Sequence, residues 1–309
     1  MSVKKYVFAS RAERNNYEKL SLQWGEVYRI QPNLPFLSIF SLDDLRVDEE
    51  DAERLKKTSV DYTLCSQDYC PIMCIEFDGL YDGVNIGTKY FPSRQPQQQW
   101  RGKIMNLKLN VAHESNFPFF VVGTDQFEAV SPTMRYTIVD GIIGDVLAHR
   151  EFSRILEQGV DPEGIGIMPE DFENLPREER YEAIQEWITN VEVQSDLDNN
   201  PIRRAAAELD GRLRVRRWGW EAKHFPELGD GDSMEERIKE IEAALYIGSS
   251  VTVTTEDYGD LTETVMLPNF KGAGFGGALH LSIAIAQYIC LSRLAKMRES
   301  NGAEPSTTA

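Results

Sequence analysis

Three carboxylate side chains lie in two short apolar segments that the sequence predicts to be adjacent strands. Residues 60–64 and 72–79 are rich in β-branched and aromatic residues, and the polar stretch between them is typical of a turn. Asp61 lies in the first segment. Glu76 and Asp78 lie in the second, and their spacing of two residues places both side chains on one face. Three carboxylates that converge at a sheet edge repel one another, so such a cluster usually holds a divalent cation; the alternative is three acids at exposed strand ends.

The composition limits the class of protein. A chain of 309 residues with 41% hydrophobic residues can form one large domain or two ordinary ones with a substantial core. It contains no run of roughly 18 apolar residues, which a membrane span needs, and its N-terminal apolar run is too short for a signal peptide. Cys65, Cys70 and Cys74 match neither a disulfide framework nor the spacing of a zinc finger, so we expect packed thiols and a cytoplasmic location.

The net charge of −17 by itself argues against a nucleic-acid partner, but the negative charge is concentrated in one part of the chain. Residues 161–200 contain twelve Asp or Glu and two Arg, which leaves the rest of the chain only mildly acidic. A local basic surface is therefore compatible with the composition.

Two helices are predicted to flank the carboxylate strands. Ser10 and Glu13 have the spacing of a capping box at the start of a helix that extends to about residue 22, and Glu13 either caps this helix or points inward. A polar stretch over residues 80–99, of the kind that forms functional loops, precedes a second helix over residues 98–115. The buried stripe predicted for this second helix consists of Trp100, Ile104, Leu107 and Val111.

Arg101 and Lys108 share the face next to this buried stripe. The apolar run at 117–122 that follows the helix predicts a buried strand, so strand, loop, helix and strand form a βαβ unit. Two further strands are predicted at 27–30 and 36–40 and a helix at 137–156. By spacing alone, Lys108 is a solvated lysine on an amphipathic helix.

In this order of elements the chain resembles the PD-(D/E)XK nuclease superfamily, in particular a bacterial branch similar to very-short-patch-repair endonucleases. The resemblance covers about residues 6–125. Glu13 matches the glutamate of the first helix, Val60-Asp61-Tyr62 the first acidic strand, and Ile75-Glu76-Phe77-Asp78-Gly79 the second. Lys108, about ten residues before Phe117-Pro118, matches a helical lysine.

The resemblance implies an α/β fold with a mixed sheet flanked by helices, and metal-dependent hydrolysis of phosphodiester bonds. It implies that Asp61 and Glu76 bind Mg²⁺ or Mn²⁺, with Glu13 or Asp78 completing the coordination through water. Lys108 would then steady the attacking water or the charge on phosphorus. The chain departs from the family in two respects: no histidine closely follows Gly79, and no acidic residue lies one turn before Lys108.

The C-terminal half predicts a separate α+β domain over residues 158–309, after a nuclease-like domain over 1–157. It contains an acidic helical segment, a helix at 233–246, a hairpin near 251–267 and a long apolar helix after a glycine-rich turn, which we expect to be buried or to form a dimer interface. Its basic segment pairs cations with tryptophans, as a surface that binds single strands or phosphates does. The residues of this segment are Arg212, Arg214, Arg216, Arg217, Trp218, Trp220 and Lys223.

An equally good interpretation of residues 212–216 is an alternating strand that pairs with the acidic segment. Taken together, the patterns favour a metal-dependent nuclease acting on DNA, with RNA as another candidate substrate, in a setting of defence or repair that the family implies. Candidate protein partners are a second copy of the chain or a defence-system protein. The competing hypothesis is a nuclease fold that has lost catalysis and binds nucleic acid or a partner.

Overall fold

The computed structural model describes residues 8, 10–42, 47–78, 84–86, 89–91, 99–123, 125–129, 131–132, 134–161, 164, 169–213, 215–223, 246–270 and 272–301. The α-helices in these ranges are α1 (Arg11–Trp24), α2 (Glu49–Leu55), α3 (Gln99–Glu114), α4 (Ile138–Gln158), α5 (Pro169–Asn174), α6 (Arg177–Asn199), α7 (Pro201–Leu213) and α8 (Ala278–Ser300). The strands are β1 (Arg29–Pro35), β2 (Ser59–Cys65), β3 (Pro71–Asp78), β4 (Val84–Ile86), β5 (Lys89–Phe91), β6 (Phe119–Gly123), β7 (Arg217–Lys223), β8 (Tyr246–Thr255) and β9 (Gly259–Pro268). The fold is therefore mixed α/β.

The first sheet has four strands in the order β1, β2, β3, β6. The pairs β1–β2 and β2–β3 are antiparallel, whereas β3 and β6 are parallel with α3 between them in the chain. The predicted hairpin and the predicted βαβ unit are both confirmed. In the hairpin loop the Ser66 amide donates to the Cys70 carbonyl at 2.9 Å. Cys70 is exposed there, while Cys65 and Cys74 on the strands are buried.

Alternate residues of β3 face two different layers. Cys74 packs with Met105 of α3 in the smaller group of buried apolar residues. Ile75 and Phe77 belong to the larger group, which also contains residues of α1 and α4. Because side chains alternate along a strand, Glu76 lies on the same face as Cys74 and points towards α3.

The second sheet has three antiparallel strands in the order β7, β8, β9. Helix α8 packs on β8 and β9, and α7 packs on α8. Cys290 of α8 is buried, and its thiol contacts the Val251 carbonyl at 3.4 Å. By length and hydropathy α8 could span a membrane, but 61% of its apolar window is buried in the fold, as in the core helix of a globular protein.

Helix α4 connects the two halves of the chain, and its predicted extent is confirmed. Thr137 and Asp140 form a capping box at its start. Two glycines let the neighbouring helices approach closely: a Cβ on Gly141 would lie 2.4 Å from Leu281 Cδ1, and a Cβ on Gly144 would lie 2.7 Å from Asn200 Cα. The face of α4 that contacts α7 and α8 is therefore closely packed.

Two predicted elements differ from the structure. Residues 27–40 form one strand, Arg29–Pro35, followed by a 3-10 turn at Phe36–Ser38, and not two strands. Proline is tolerated in β1 because β1 lies at the edge of the sheet, where an amide donor is not required on the outer side. The ring of Phe36 then stacks on that of Phe40 with centroids 4.6 Å apart, which buries both.

The strand predicted over 212–216 is also wrong, because Arg212 lies in the last turn of α7 and β7 begins at Arg217. Asn200 explains the difference: its side-chain oxygen accepts from the Ile202 amide at 3.0 Å and caps a helix that begins at Pro201. The helix predicted at 233–246 lies outside the described residues except for Tyr246, which begins β8.

Candidate active site

Asp61 and Glu76 lie side by side at the point where β2 and β3 stop pairing through their main chains. The register ends with Tyr62 opposite Ile75. Beyond this pair, the Phe77 amide donates to Asp61 Oδ2 at 2.8 Å. The Asp61 carboxyl group is close enough to Glu76 for its charge to raise the pKa of Glu76.

Lys108 reaches this pair from α3. Its ammonium group donates to the Glu76 carboxylate and, at 2.6 Å, to the Ser59 carbonyl of β2. Both side chains of the ion pair are about 6% exposed, so the interaction is almost fully shielded from solvent. The interpretation of Lys108 as a solvated lysine is therefore wrong, because its long side chain ends in a buried contact with Glu76.

The environment of Glu76 favours its neutral form. Burial, then the adjacent charge of Asp61, raises the pKa of Glu76 to about 8, although the Lys108 ammonium acts in the opposite direction. Burial also raises the pKa of the Tyr62 hydroxyl, with further contributions from Asp61, Glu13 and Glu76. These three carboxylates therefore lie within electrostatic reach of one phenol.

Glu13 is placed by the first turn of α1. Its amide donates to Ser10 Oγ at 3.1 Å, which confirms that Ser10 caps this helix. Its carbonyl accepts from the Tyr62 hydroxyl at 2.8 Å, which attaches α1 to β2. Glu13 is half-buried, and its predicted role in completing a metal shell stays a prediction.

Asp78 does not share the environment of Glu76. Its carboxylate is 2% exposed and lies 3.5 Å from the Arg101 guanidinium, which also donates to the Phe77 carbonyl at 3.4 Å. The Arg101 side chain is itself 38% exposed, so it extends from the buried Asp78 to solvent. Two of the three predicted carboxylates therefore have their own cation, Lys108 for Glu76 and Arg101 for Asp78, while Asp61 lies beside Glu76.

The fit of this site to a divalent cation depends on Asp61 and Glu76. Two adjacent carboxyl groups offer hard oxygen ligands of the kind that Mg²⁺ and Mn²⁺ prefer, and a cation would relieve the repulsion of their charged forms. Among the described residues, however, no group of three or more His, Cys, Asp or Glu side chains is arranged to hold a metal ion. The pair by itself offers only two of the oxygen ligands that such an ion takes, and Glu76 already accepts a hydrogen bond from Lys108.

Gln126 is a buried polar residue of this region that sequence reasoning missed. It lies in the 3-10 turn Asp125–Phe127 after β6, and its Oε1 accepts from the Gly123 amide at 2.5 Å. Gly123 lies opposite Asp78 in the parallel register, so Gln126 binds the main chain at the end of β6 that lies beside Asp78. The polar residues directly after the buried β6 strand were the available signal.

The basic segment lies on the second sheet and not on the sheet that carries Asp61. Arg212 ends α7, Arg214 lies outside the described residues, and Arg216 precedes β7. Arg217, Trp218 and Trp220 are exposed residues of β7, whereas Lys223 is half-buried at its end and pairs with Glu221 at 2.6 Å. Of the seven residues in this segment, the structure therefore places Arg217, Trp218, Trp220 and Lys223 on β7.

No protein-family model matches the chain, and comparisons with curated proteins and with solved structures gave no match. The resemblance to nucleases therefore rests on the motifs of the chain and on the geometry described above.

Proposed function

We propose that the chain is a metal-dependent nuclease with a PD-(D/E)XK-like domain, and that its most favoured substrate is DNA. The observation that supports this proposal is the convergence of Asp61, Glu76 and Lys108 from three separate elements. Two carboxylates beside one ammonium group are the set of charges that phosphodiester hydrolysis requires: ligands for a cation, and a cation for the developing negative charge.

Each side chain has a distinct role in this proposal. Asp61 and Glu76 would hold Mg²⁺ or Mn²⁺, whose chemistry when bound is polarisation of the scissile phosphate and activation of water. Because a carboxyl group must be deprotonated to bind an ion, uptake of the ion would release the proton that burial and Asp61 favour on Glu76. Lys108 would stabilise charge on the phosphate oxygens, and Arg101 would bind a neighbouring phosphate with its exposed guanidinium.

A cleavage assay with paired variants tests the proposal. The purified chain is incubated with plasmid, single-stranded DNA and RNA, in Mg²⁺, Mn²⁺ or EDTA. We expect ion-dependent cleavage, and a loss of at least about 100-fold in Glu76→Gln and in Lys108→Met. Lys103→Met is the matched control, because Lys103 lies on the same helix with a 52% exposed side chain that pairs with Asp51.

The folding of each variant is checked by circular dichroism, because removal of one partner from a buried ion pair costs about 3–5 kcal/mol. The double variant Glu76→Gln/Lys108→Met removes both charges and is the reference for inactive but folded protein. A parent chain that cleaves none of these substrates, or a Lys108→Met variant as active as Lys103→Met, contradicts the proposal.

The second candidate function is a nuclease fold without catalysis that binds nucleic acid or a partner protein, such as a component of a defence system. The observation that favours it is charge balance: Glu76 already has Lys108, and Asp78 already has Arg101. In that case calorimetry would detect no uptake of Mg²⁺ or Mn²⁺, and binding would persist without cleavage. For either function we propose a cytoplasmic location, which suits a chain whose described cysteines are all free thiols.

A further inference from the structure

Strand β7 is an exposed edge of the second sheet. Within the described residues it pairs with β8 alone, and the five residues from Arg217 to Glu221 are all exposed. An exposed edge of this length presents a row of amides and carbonyls on which another strand can pair. Because proteins usually cover such an edge, we expect β7 to have a partner strand. The side chains of β7 indicate which strand that partner is.

The charges of β7 are complementary to themselves in one antiparallel register. Two copies related by a two-fold axis through Gly219 place Arg217 opposite Glu221 of the second copy, twice. An axis through Trp220 would instead place Arg217 opposite Lys223, and an axis through Trp218 would pair no opposite charges. Opposite charges directly across a ladder stabilise it and like charges oppose it, so the register centred on Gly219 is favoured.

The tryptophans of β7 favour the same register, centred on Gly219. In the register centred on Gly219, Trp218 of each copy lies opposite Trp220 of the other. Both lie opposite the fully buried Val253 and Val251 of β8, and on the same face of the sheet, yet they are 40% and 51% exposed. Cross-strand aromatic pairs are among the more stabilising contacts of antiparallel sheets, and this pairing would bury apolar surface that one copy leaves in water.

Nothing in the structure of a single copy requires glycine at position 219. A Cβ at this position would meet nothing within 4 Å, and its backbone is not among the left-handed glycines. Glycine in the interior of a strand weakens it and often marks a close approach of another backbone. At Gly219 the close approach would be that of the second copy at the two-fold axis.

We propose that two copies of this chain associate through antiparallel pairing of β7 with β7, which joins their three-stranded sheets into one sheet of six. The occupant of the edge is thus a second copy, chosen by the self-complementary charges and tryptophans of the strand. The competing occupant is nucleic acid, which the same arginines and tryptophans would attract. The inference is independent of the proposed nuclease activity.

A charge exchange distinguishes these occupants. The association of the full chain is measured by analytical ultracentrifugation. We expect the parent to dimerise, and the dissociation constant to rise at least about tenfold in Arg217→Glu and in Glu221→Arg, because each places like charges opposite each other. An equimolar mixture of the two variants should form a heterodimer, since both cross-pairs are again opposite in sign, and the double exchange should restore the homodimer.

Arg216→Glu is the matched control, since in this register Arg216 lies opposite Ala222 and its charge has no counterpart. A parent that stays monomeric, or single variants whose mixture fails to associate, overturns the proposal. It is also overturned if the parent and variants share one oligomeric state while Arg217→Glu and the double exchange both lose affinity for single-stranded DNA. That outcome assigns the strand to nucleic acid.

Discussion

Glu76 is buried between a cation and a second carboxyl group, and these neighbours act on its protonation in opposite directions. Its folded pKa of about 8 lies above the ordinary value of 4.5. A group with a raised folded pKa stabilises the fold fully below its unfolded pKa, where both states are protonated alike. This contribution is lost as the pH rises through the folded pKa, because the unfolded chain gives up its proton first.

We therefore expect Glu76→Gln to flatten the dependence of the free energy of unfolding on pH between 4.5 and 8. The parent should lose a few kcal/mol more than the variant over this window, since one pKa unit is worth about 1.4 kcal/mol. Urea unfolding at a series of pH values measures the difference. Asp140 and Asp145, whose pKa values burial also raises, are present in both proteins and cancel in the comparison. Parallel profiles for parent and variant would contradict the expectation.

At this scale strand alternation and pairing predicted that Asp61 and Glu76 would lie together, whereas spacing alone made Lys108 a solvated lysine and only the family resemblance placed it beside them. The sequence did not predict that Asp78 would pair with Arg101. That contact depends on how α3 lies relative to the end of β3, after a long intervening stretch whose path no local pattern encodes. The sequence therefore predicted a trio of acids where the structure has a pair and a separate ion pair.

Among the elements, α4 packs closely against its neighbours at Gly141 and Gly144. Gly141→Ala should destabilise the protein by about 1–3 kcal/mol, because the added methyl group would overlap Leu281 and Ile202, although alanine is the better helix former. Gly211→Ala in α7 is the control: a Cβ there meets nothing within 4 Å, so the variant should gain about 0.5–1 kcal/mol. Thermal and urea unfolding measure both changes. Equal effects of the two substitutions would mean that the α4 packing is looser than described.

Element boundaries show where local signals suffice and where they compete. The strands β2, β3 and β6 and the helix α3 were predictable because apolar periodicity and turn residues agree over each of them. Residues 212–216 alternate arginine with leucine and valine, which fits a strand, but Arg212 and Leu213 form the last turn of the helix that Asn200 caps and that starts at Pro201. Helix signals twelve residues upstream therefore outweighed the local alternation.

At the scale of the molecule, the larger buried core joins both halves of the chain. It contains Tyr62 and Ile142 from before residue 157 and Val251 and Leu281 from after it. The predicted division into two domains at this residue stays a prediction, because the division of a chain into folding units depends on the free energy of the contacts that cross it. Helix α4, which carries Ile142, is the element through which the two sheets share this core.

The number of reactive cysteines tests the fold of the whole molecule. Cys70 alone is exposed, and burial raises the pKa of the Cys65, Cys74 and Cys290 thiols, for Cys290 to about 12. We expect a thiol reagent to modify one group rapidly in the native chain and all four after unfolding, since the thiolate is the reactive form. Cys70→Ser should abolish the rapid reaction. Two or more fast thiols in the native chain would contradict the burial of the others.

The position of Cys70 gives this selectivity a practical consequence. The residue lies in the loop that joins the strands of Asp61 and Glu76. A maleimide dye would attach there without any engineered cysteine, at the far end of the same hairpin from the carboxyl groups. The natural chain therefore carries its own attachment point for a fluorophore, and the emission of that fluorophore offers a real-time test of the metal and DNA binding that we propose.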